Sequence, residues 1–171
     1  MKGSVSAVAM FGLVLLVGCS GPTAPIGVLP SAGGDTSAKG AMSAPFKGSF
    51  EGSQTVTPGT PPFSFVDMNG EGTGTVVGRF DIAMPHNVNF ATATATGVAT
   101  IVAADGSSLV AAFTGQAEVG PIISIVEQAT ITSGTGRFAS ATGSFTIRRT
   151  FNPATGHTGG TFEGTLQLHG Q

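Results

Sequence analysis

The sequence predicts an all-β protein whose residues 45–171 form an eight-stranded antiparallel up-and-down β-barrel. Three observations predict it. No stretch of this region holds the apolar period of a helix. Many short stretches alternate with period two instead, rich in Thr, Val, Ile and Phe and bounded by Gly, Pro, Asn and Asp. Short turns join eight such stretches, and closing the sheet removes the edges that an open sheet exposes. A two-sheet sandwich is the main alternative. The region is long enough for one core. Trp and Tyr are absent, so twelve Phe carry the aromatic packing.

The strands fall near 46–57, 65–77, 79–90, 92–104, 107–118, 122–132, 141–151 and 157–169. In the first, Phe46, Gly48, Phe50, Gly52 and Val56 share a face, opposite Lys47, Ser49, Glu51 and Ser53. In the last, Phe162, Gly164, Leu166 and Leu168 oppose Glu163, Thr165 and Gln167. The echo between Phe50-Glu51-Gly52-Ser53 and Phe162-Glu163-Gly164-Thr165 suits two strands that meet where a barrel closes. Glycines on the inner face relieve crowding and let the sheet bend.

Asp105-Gly106 is the strongest hairpin signal, through a type I′ turn. Pairing outward from it sets Val102 opposite Leu109, Thr100 opposite Ala111 and Val98 opposite Phe113. Ile101, Val110, Ala99 and Ala112 then take the other face. Both faces are apolar, which asks for cover on both. One face fills the barrel; the other packs on a second subunit or stands as an exposed Ala/Val surface.

One pair of charges falls among apolar residues. Alternation places Ile123, Ile125, Glu127, Ala129 and Ile131 on one face, and Phe145, Ile147, Arg149 and Phe151 on one face of the next strand. A register that pairs Ile131 with Phe145 and Ala129 with Ile147 also pairs Glu127 with Arg149, both pointing inward. Such a pair is a polar anchor for a ligand or an acid/base group tuned by burial. It is equally an internal salt bridge that fixes register; a bulge would instead turn both residues outward.

Other chemistry is sparse. His86, His157 and His169 sit at expected loops or strand ends, without metal-ligand spacing to Cys, Asp or Glu. Gly70-Glu-Gly-Thr-Gly74 and Gly134-Thr-Gly136 open no helix and carry no Lys-Ser/Thr, which disfavours phosphate binding. No serine sits in a nucleophile elbow, and Asp67, Glu71 and Asp81 read as solvated charges. No metal and no cofactor is expected. Seven Lys and Arg, one of them Lys2 in the leader, face nine Asp and Glu. That acidic balance argues against nucleic acid and anionic lipid as partners.

The first 18 residues form a leader: Lys2, an apolar stretch from Val5 to Val17, then Leu16-Val17-Gly18-Cys19. The stretch is short of the roughly 20 residues that span a bilayer. It resembles a bacterial lipoprotein signal peptide with its lipobox, and Cys19 is the only cysteine in the chain. The resemblance implies cleavage before Cys19, palmitate-type acylation of that cysteine with three chains in the usual Gram-negative case, and a cell-envelope location. Each buried methylene contributes about 0.8 kcal/mol, so several chains anchor firmly. Ser20 after the cysteine points to the outer membrane, facing the periplasm or the cell surface. Residues 19–44, rich in Gly, Ala, Ser and Pro, read as the lipidated cysteine and a flexible tether. Such a tether holds a domain roughly 25–30 Å from the lipid.

The segment Ala129-Thr-Ile-Thr-Ser-Gly-Thr-Gly-Arg-Phe-Ala-Ser-Ala-Thr-Gly143 resembles a barrel-end turn of the allene oxide cyclase and dirigent superfamily, with Ser133 in place of a glycine. Gly134, Gly136 and Phe138 carry the match, and Phe138 is the side chain that would plug the barrel end. Val102-Ala-Ala-Asp-Gly-Ser-Ser-Leu109 is similar to a hairpin in bacterial members. The resemblance implies an eight-stranded barrel, often trimeric, with an apolar interior. It carries no activity across, since no catalytic set maps onto this chain. Two functions are expected in turn: a lipid-anchored barrel that binds a small apolar ligand or serves as an envelope interaction module, or an isomerase/cyclase acting on a reactive lipid or phenolic compound.

Overall fold

The computed structural model describes residues 42–169. Nine strands follow in order: β1 (Met42–Pro58), β2 (Phe63–Gly74), β3 (Gly78–Ala83), β4 (His86–Asn89), β5 (Thr94–Ala103), β6 (Ser108–Glu118), β7 (Ile123–Gly134), β8 (Thr142–Phe151) and β9 (His157–Leu168). All neighbours are antiparallel, and β1 pairs with both β2 and β9, so the sheet closes on itself. Composition assigns residues 42–44 to the tether, but Met42, Ser43 and Ala44 already pair with Leu168, Gln167 and Leu166.

The barrel has eight staves, because β3 and β4 are two halves of one. Both lie between β2 and β5 and keep the same register with each neighbour. The sequence predicts one strand over 79–90, and Pro85 interrupts it. Proline has no N–H to give the ladder. Around the gap Met84 N–H still donates to the Met68 carbonyl (2.8 Å), and Val98 N–H reaches the Pro85 carbonyl (3.3 Å).

Even-numbered core residues of β1 to β4 and β9 point inward, and odd-numbered ones of β5 to β8. Size complementarity sets the closure. Across β1 and β9, Phe46 faces Gly164, Gly48 faces Phe162 and Phe50 faces Gly160. A Cβ on Gly48 would stand 2.7 Å from the Phe162 ring, so a side chain there would displace the aromatic packing. Phe46, Phe80, Phe145 and Phe162 form a connected group of rings with centroids 4.7–5.8 Å apart. Such edge and tilted contacts add to area burial.

The hairpin at Asp105-Gly106 corrects the predicted register by one residue. Val102 faces Ser108, Ile101 faces Leu109 and Ala99 faces Ala111. Gly106 alone has positive φ (+82°), and its N–H donates to the Ala103 carbonyl. The loop is therefore a tight turn closed by a left-handed glycine, rather than a two-residue type I′ turn. One residue of slip exchanges the faces. Ala99, Ile101, Leu109, Ala111 and Phe113 fill the core, while Val98 and Val102 are exposed outside. A bulge at Thr132 in β7 leaves Thr132 and Ser133 both outward.

Candidate functional site

The two ends of the barrel differ. The end that receives the start of β1 also carries the connections at 75–77, 104–107 and 135–141. There a single 3₁₀ turn, Gly136–Phe138, tips Phe138 into the core at 1% exposure. Gly136 needs its positive φ (+56°) to make that turn. Phe138 N–H donates to the Thr135 carbonyl, and Arg137 lies over the Phe138 ring at 4.6 Å. Arg137 also pairs with Asp105 (3.0 Å) and donates to the Val77 carbonyl (3.1 Å), tying three connections together. The Ser107 N–H, more than the Arg137 charge, holds the Asp105 carboxyl below its usual range.

The far end carries the polar cluster. Glu127 of β7 and Arg149 of β8 both point inward and are 0% and 3% exposed. They do not face each other directly: Glu127 opposes Ile147, and Arg149 opposes Ile125. The register is two residues from the predicted one, which preserves the face and changes the partner. The long Arg149 side chain spans the diagonal. Its Nη2 meets Glu127 Oε1 at 2.8 Å, and its Nε meets Oε1 and Oε2 at 3.2 and 3.1 Å. Nη1 donates to Gln54 Oε1 of β1 (2.8 Å) and Thr158 Oγ1 of β9 (3.2 Å); Thr158 in turn donates to the Thr150 carbonyl. Among the described residues no buried side-chain polar atom lacks a partner, as low-dielectric burial of charge requires.

Glycines make room for this pair. Gly115 of β6 faces Glu127, and Gly160 of β9 faces Arg149. A Cβ at either would come within 2.6 Å of Glu127 Cγ or Arg149 Cβ. Small residues beside large inward ones are readable in the sequence only once the strands are paired.

His86, which the sequence sets at a loop or strand end, opens β4 and is buried in the same interior. It is 3% exposed, with Nδ1 2.7 Å from the Met84 carbonyl and its ring edge-on to Phe113 (5.6 Å). Burial pushes its imidazole below the ordinary value. The Met84 carbonyl opposes that shift, nearby Arg149 adds to it, and Glu127 opposes it. The signal that finds it is the unbroken inward frame Phe80, Ile82, Met84, His86. His157 and His169 are exposed. Among the described residues no group of three His, Cys, Asp or Glu could hold a metal. Cys19 lies outside the described residues.

The outer wall is divided by charge. Strands β8, β9, β1, β2 and β3 carry Arg148, Glu163, Lys47, Glu51, Asp67, Glu71, Arg79 and Asp81. On this side a groove of about 890 Å³ runs over Glu51, Glu71 and Asp81, which face one another in a row across three strands. The walls of β4 to β7 carry only Glu118 outside.

The closed antiparallel sheet with an aromatic-plugged end defines a dirigent-like barrel. A search of solved structures finds the pterocarpan synthase dirigent protein GePTS1 with a TM-score of 0.60 and 15% identity, over 84% of this chain and 97% of that one. The likeness is one of fold. No protein-family model matches the sequence, and no curated protein matches it.

Proposed function

We propose that this chain is a bacterial lipoprotein, held in the cell envelope by acyl chains on Cys19, whose packed barrel works as a structural or interaction module. The observation that carries the reading is the filled interior. Phenylalanines occupy one end, and the other is taken by a salt bridge whose members bond to each other, Gln54 and Thr158. Side chains stand where an enclosing carrier would place its ligand. The leader and lipobox supply the anchor, and Ser20 the outer-membrane address. The nearly charge-free wall of β5 to β7, with Val98, Val102 and Val126 exposed, is the face on which a second copy would pack.

Two measurements test this. Palmitate labelling in a bacterial host should mark the full chain and vanish in Cys19→Ala; labelling that persists refutes the anchor. Native mass spectrometry of the chain from its envelope should give a ligand-free mass; a bound small molecule of defined mass refutes the filled-module reading.

A second reading makes the far end a catalytic site of isomerase or cyclase type, acting on a reactive lipid or phenolic compound. It draws on the burial of His86, Glu127 and Arg149 in one barrel interior and on the name of the dirigent neighbour, a pterocarpan synthase. Replacing Glu127 and Arg149 together by apolar residues would abolish such an activity. Unchanged turnover in that variant would end the idea.

A further inference from the structure

We infer that the far end of the barrel, the end away from the start of β1, is a membrane-contacting crest that rests on the surface of a lipid bilayer.

The connections at 59–62, 90–93 and 119–122 all emerge at this end. Hydrogen bonds hold them side by side. Phe90 N–H donates to the Pro62 carbonyl (2.9 Å), and Ala117 N–H and Gln116 Nε2 donate to the Ala93 and Thr92 carbonyls (2.8 and 3.1 Å). From these neighbouring turns and the strand ends beside them rise Phe63, Phe90, Val119 and Ile122, at 52, 60, 77 and 47% exposure. Phe65, on the same outward face of β2 as Phe63, extends the patch. All three exposed phenylalanines among the described residues are here, whereas the opposite end tucks Phe138 inward.

The chemistry around these tips is uniform. No charged residue occurs between Glu51 and Asp67, or between Asp81 and Asp105. Glu118 is the single charge beside the third turn. The tips are flanked by uncharged polar residues such as Thr60, Thr92 and Gln116 and, apart from Glu118, by no charge that would pair with a charged protein partner. Convex apolar tips without lysine or arginine fit a zwitterionic lipid interface, where bound area sets affinity and anionic headgroups add nothing.

The inference rests on the lipid anchor proposed above, and the length of the connecting chain permits it. Residues 20–41 reach roughly 75 Å when extended, while staves of this length, tilted as in a barrel, stand roughly 30 Å high. A barrel tethered from one end can therefore lay its other end on the same bilayer.

The chain holds no Trp or Tyr, so Phe90→Trp gives a fluorescence reporter without background. A second chain, Ala104→Trp, reports on the opposite end. Each full-length chain is mixed with phosphatidylcholine vesicles, with and without bromine on the acyl chains, and flotation is read in parallel. The expected result is a blue shift and bromolipid quenching at position 90 and neither at 104. Adding Phe63→Ser and Ile122→Ser to the Phe90→Trp chain should weaken that quenching roughly tenfold in lipid concentration. A chain that floats through Cys19 yet shows no quenching at 90 overturns the crest and leaves the anchor standing. Quenching at 90 in a chain whose flotation ignores Cys19→Ser supports the crest and removes the anchor. A concentration-dependent blue shift at 90 without vesicles assigns the crest to a second copy and overturns the lipid contact. Neither flotation nor quenching overturns both.

Discussion

Removing one partner of the buried ion pair should be far more damaging than removing both. In Arg149→Met, Glu127 keeps its buried position beside Ile147 and loses the guanidinium that supplies all three hydrogen bonds to its carboxylate. In Glu127→Leu, Arg149 keeps only Gln54 and Thr158. An uncompensated buried charge costs about 3–5 kcal/mol, against roughly 6–19 kcal/mol of total stability for a domain of this size. Each single change should lower the melting temperature by roughly 10–20 °C. The double variant Glu127→Leu/Arg149→Met removes both charges and should stay within about 2 kcal/mol of the parent. The coupling energy should exceed about 3 kcal/mol. Urea unfolding followed by far-UV circular dichroism measures it, since the chain lacks Trp and Tyr. Single variants that each cost under about 1 kcal/mol, and whose costs add, would refute a desolvated pair.

Other outcomes follow from the same packing. Phe138→Ala empties the plug end and should cost about 3–5 kcal/mol in chemical unfolding. Gly115→Val drives a side chain into Glu127, whose Cγ lies 2.6 Å from where the new Cβ would stand, and should cost about 1–3 kcal/mol or more; the same change at half-buried Gly120, where the new Cβ would meet only the Ile122 carbonyl at 3.2 Å, should be milder. His86 should titrate below the ordinary 6.5 when followed by NMR. Its folded value is lowered, so the unfolded chain takes up the proton first. Stability is then complete above the unfolded value, near 6.5, and declines as pH falls from there through the folded value. His86→Asn should flatten that decline.

The fold is legible because alternation reports which face a residue takes, and face assignment needs no knowledge of the partner strand. Period alone places Phe46, Phe50, Phe162 and Leu166 on inward faces, and all four are buried. The split of the third stave is also written in the sequence, as Pro85 inside an alternating run, though nothing local says whether proline ends a strand or only interrupts its ladder. The hairpin at Asp105 is not legible in the same way. Asp-Gly serves both a two-residue turn and a longer one, and the two choices differ by one residue of register. The choice is made elsewhere, by Arg137, which holds Asp105 from thirty-two residues away, and by the Ser107 hydroxyl, which accepts the Arg137 N–H.

The polar cluster shows where such reasoning stops. Parity assigns Glu127 and Arg149 to the same interior, yet the register it suggests is wrong by two. The end of β7 carries a bulge and the connection to β8 a 3₁₀ turn, and neither fixes a pairing from sequence. Contact survives the error because an arginine side chain reaches across a diagonal that a shorter residue would not. His86 reads as a loop or strand-end residue, and it does open β4, but the frame running through Phe80, Ile82 and Met84 also points it inward. The longer periodic signal outweighs the local turn signal here. What marks the cluster is volume: each large inward residue of the pair has a glycine beside it on the adjoining strand, Gly115 for Glu127 and Gly160 for Arg149. A barrel interior has fixed width, so side chains on adjacent staves must share it, and glycine is the residue that yields. Favouring registers that set bulky inward residues such as Phe46, Phe50, Phe113, Glu127, Arg149 and Phe162 opposite a glycine would therefore narrow the pairings open to such a sheet, although Ile101 and Ile147 meet none.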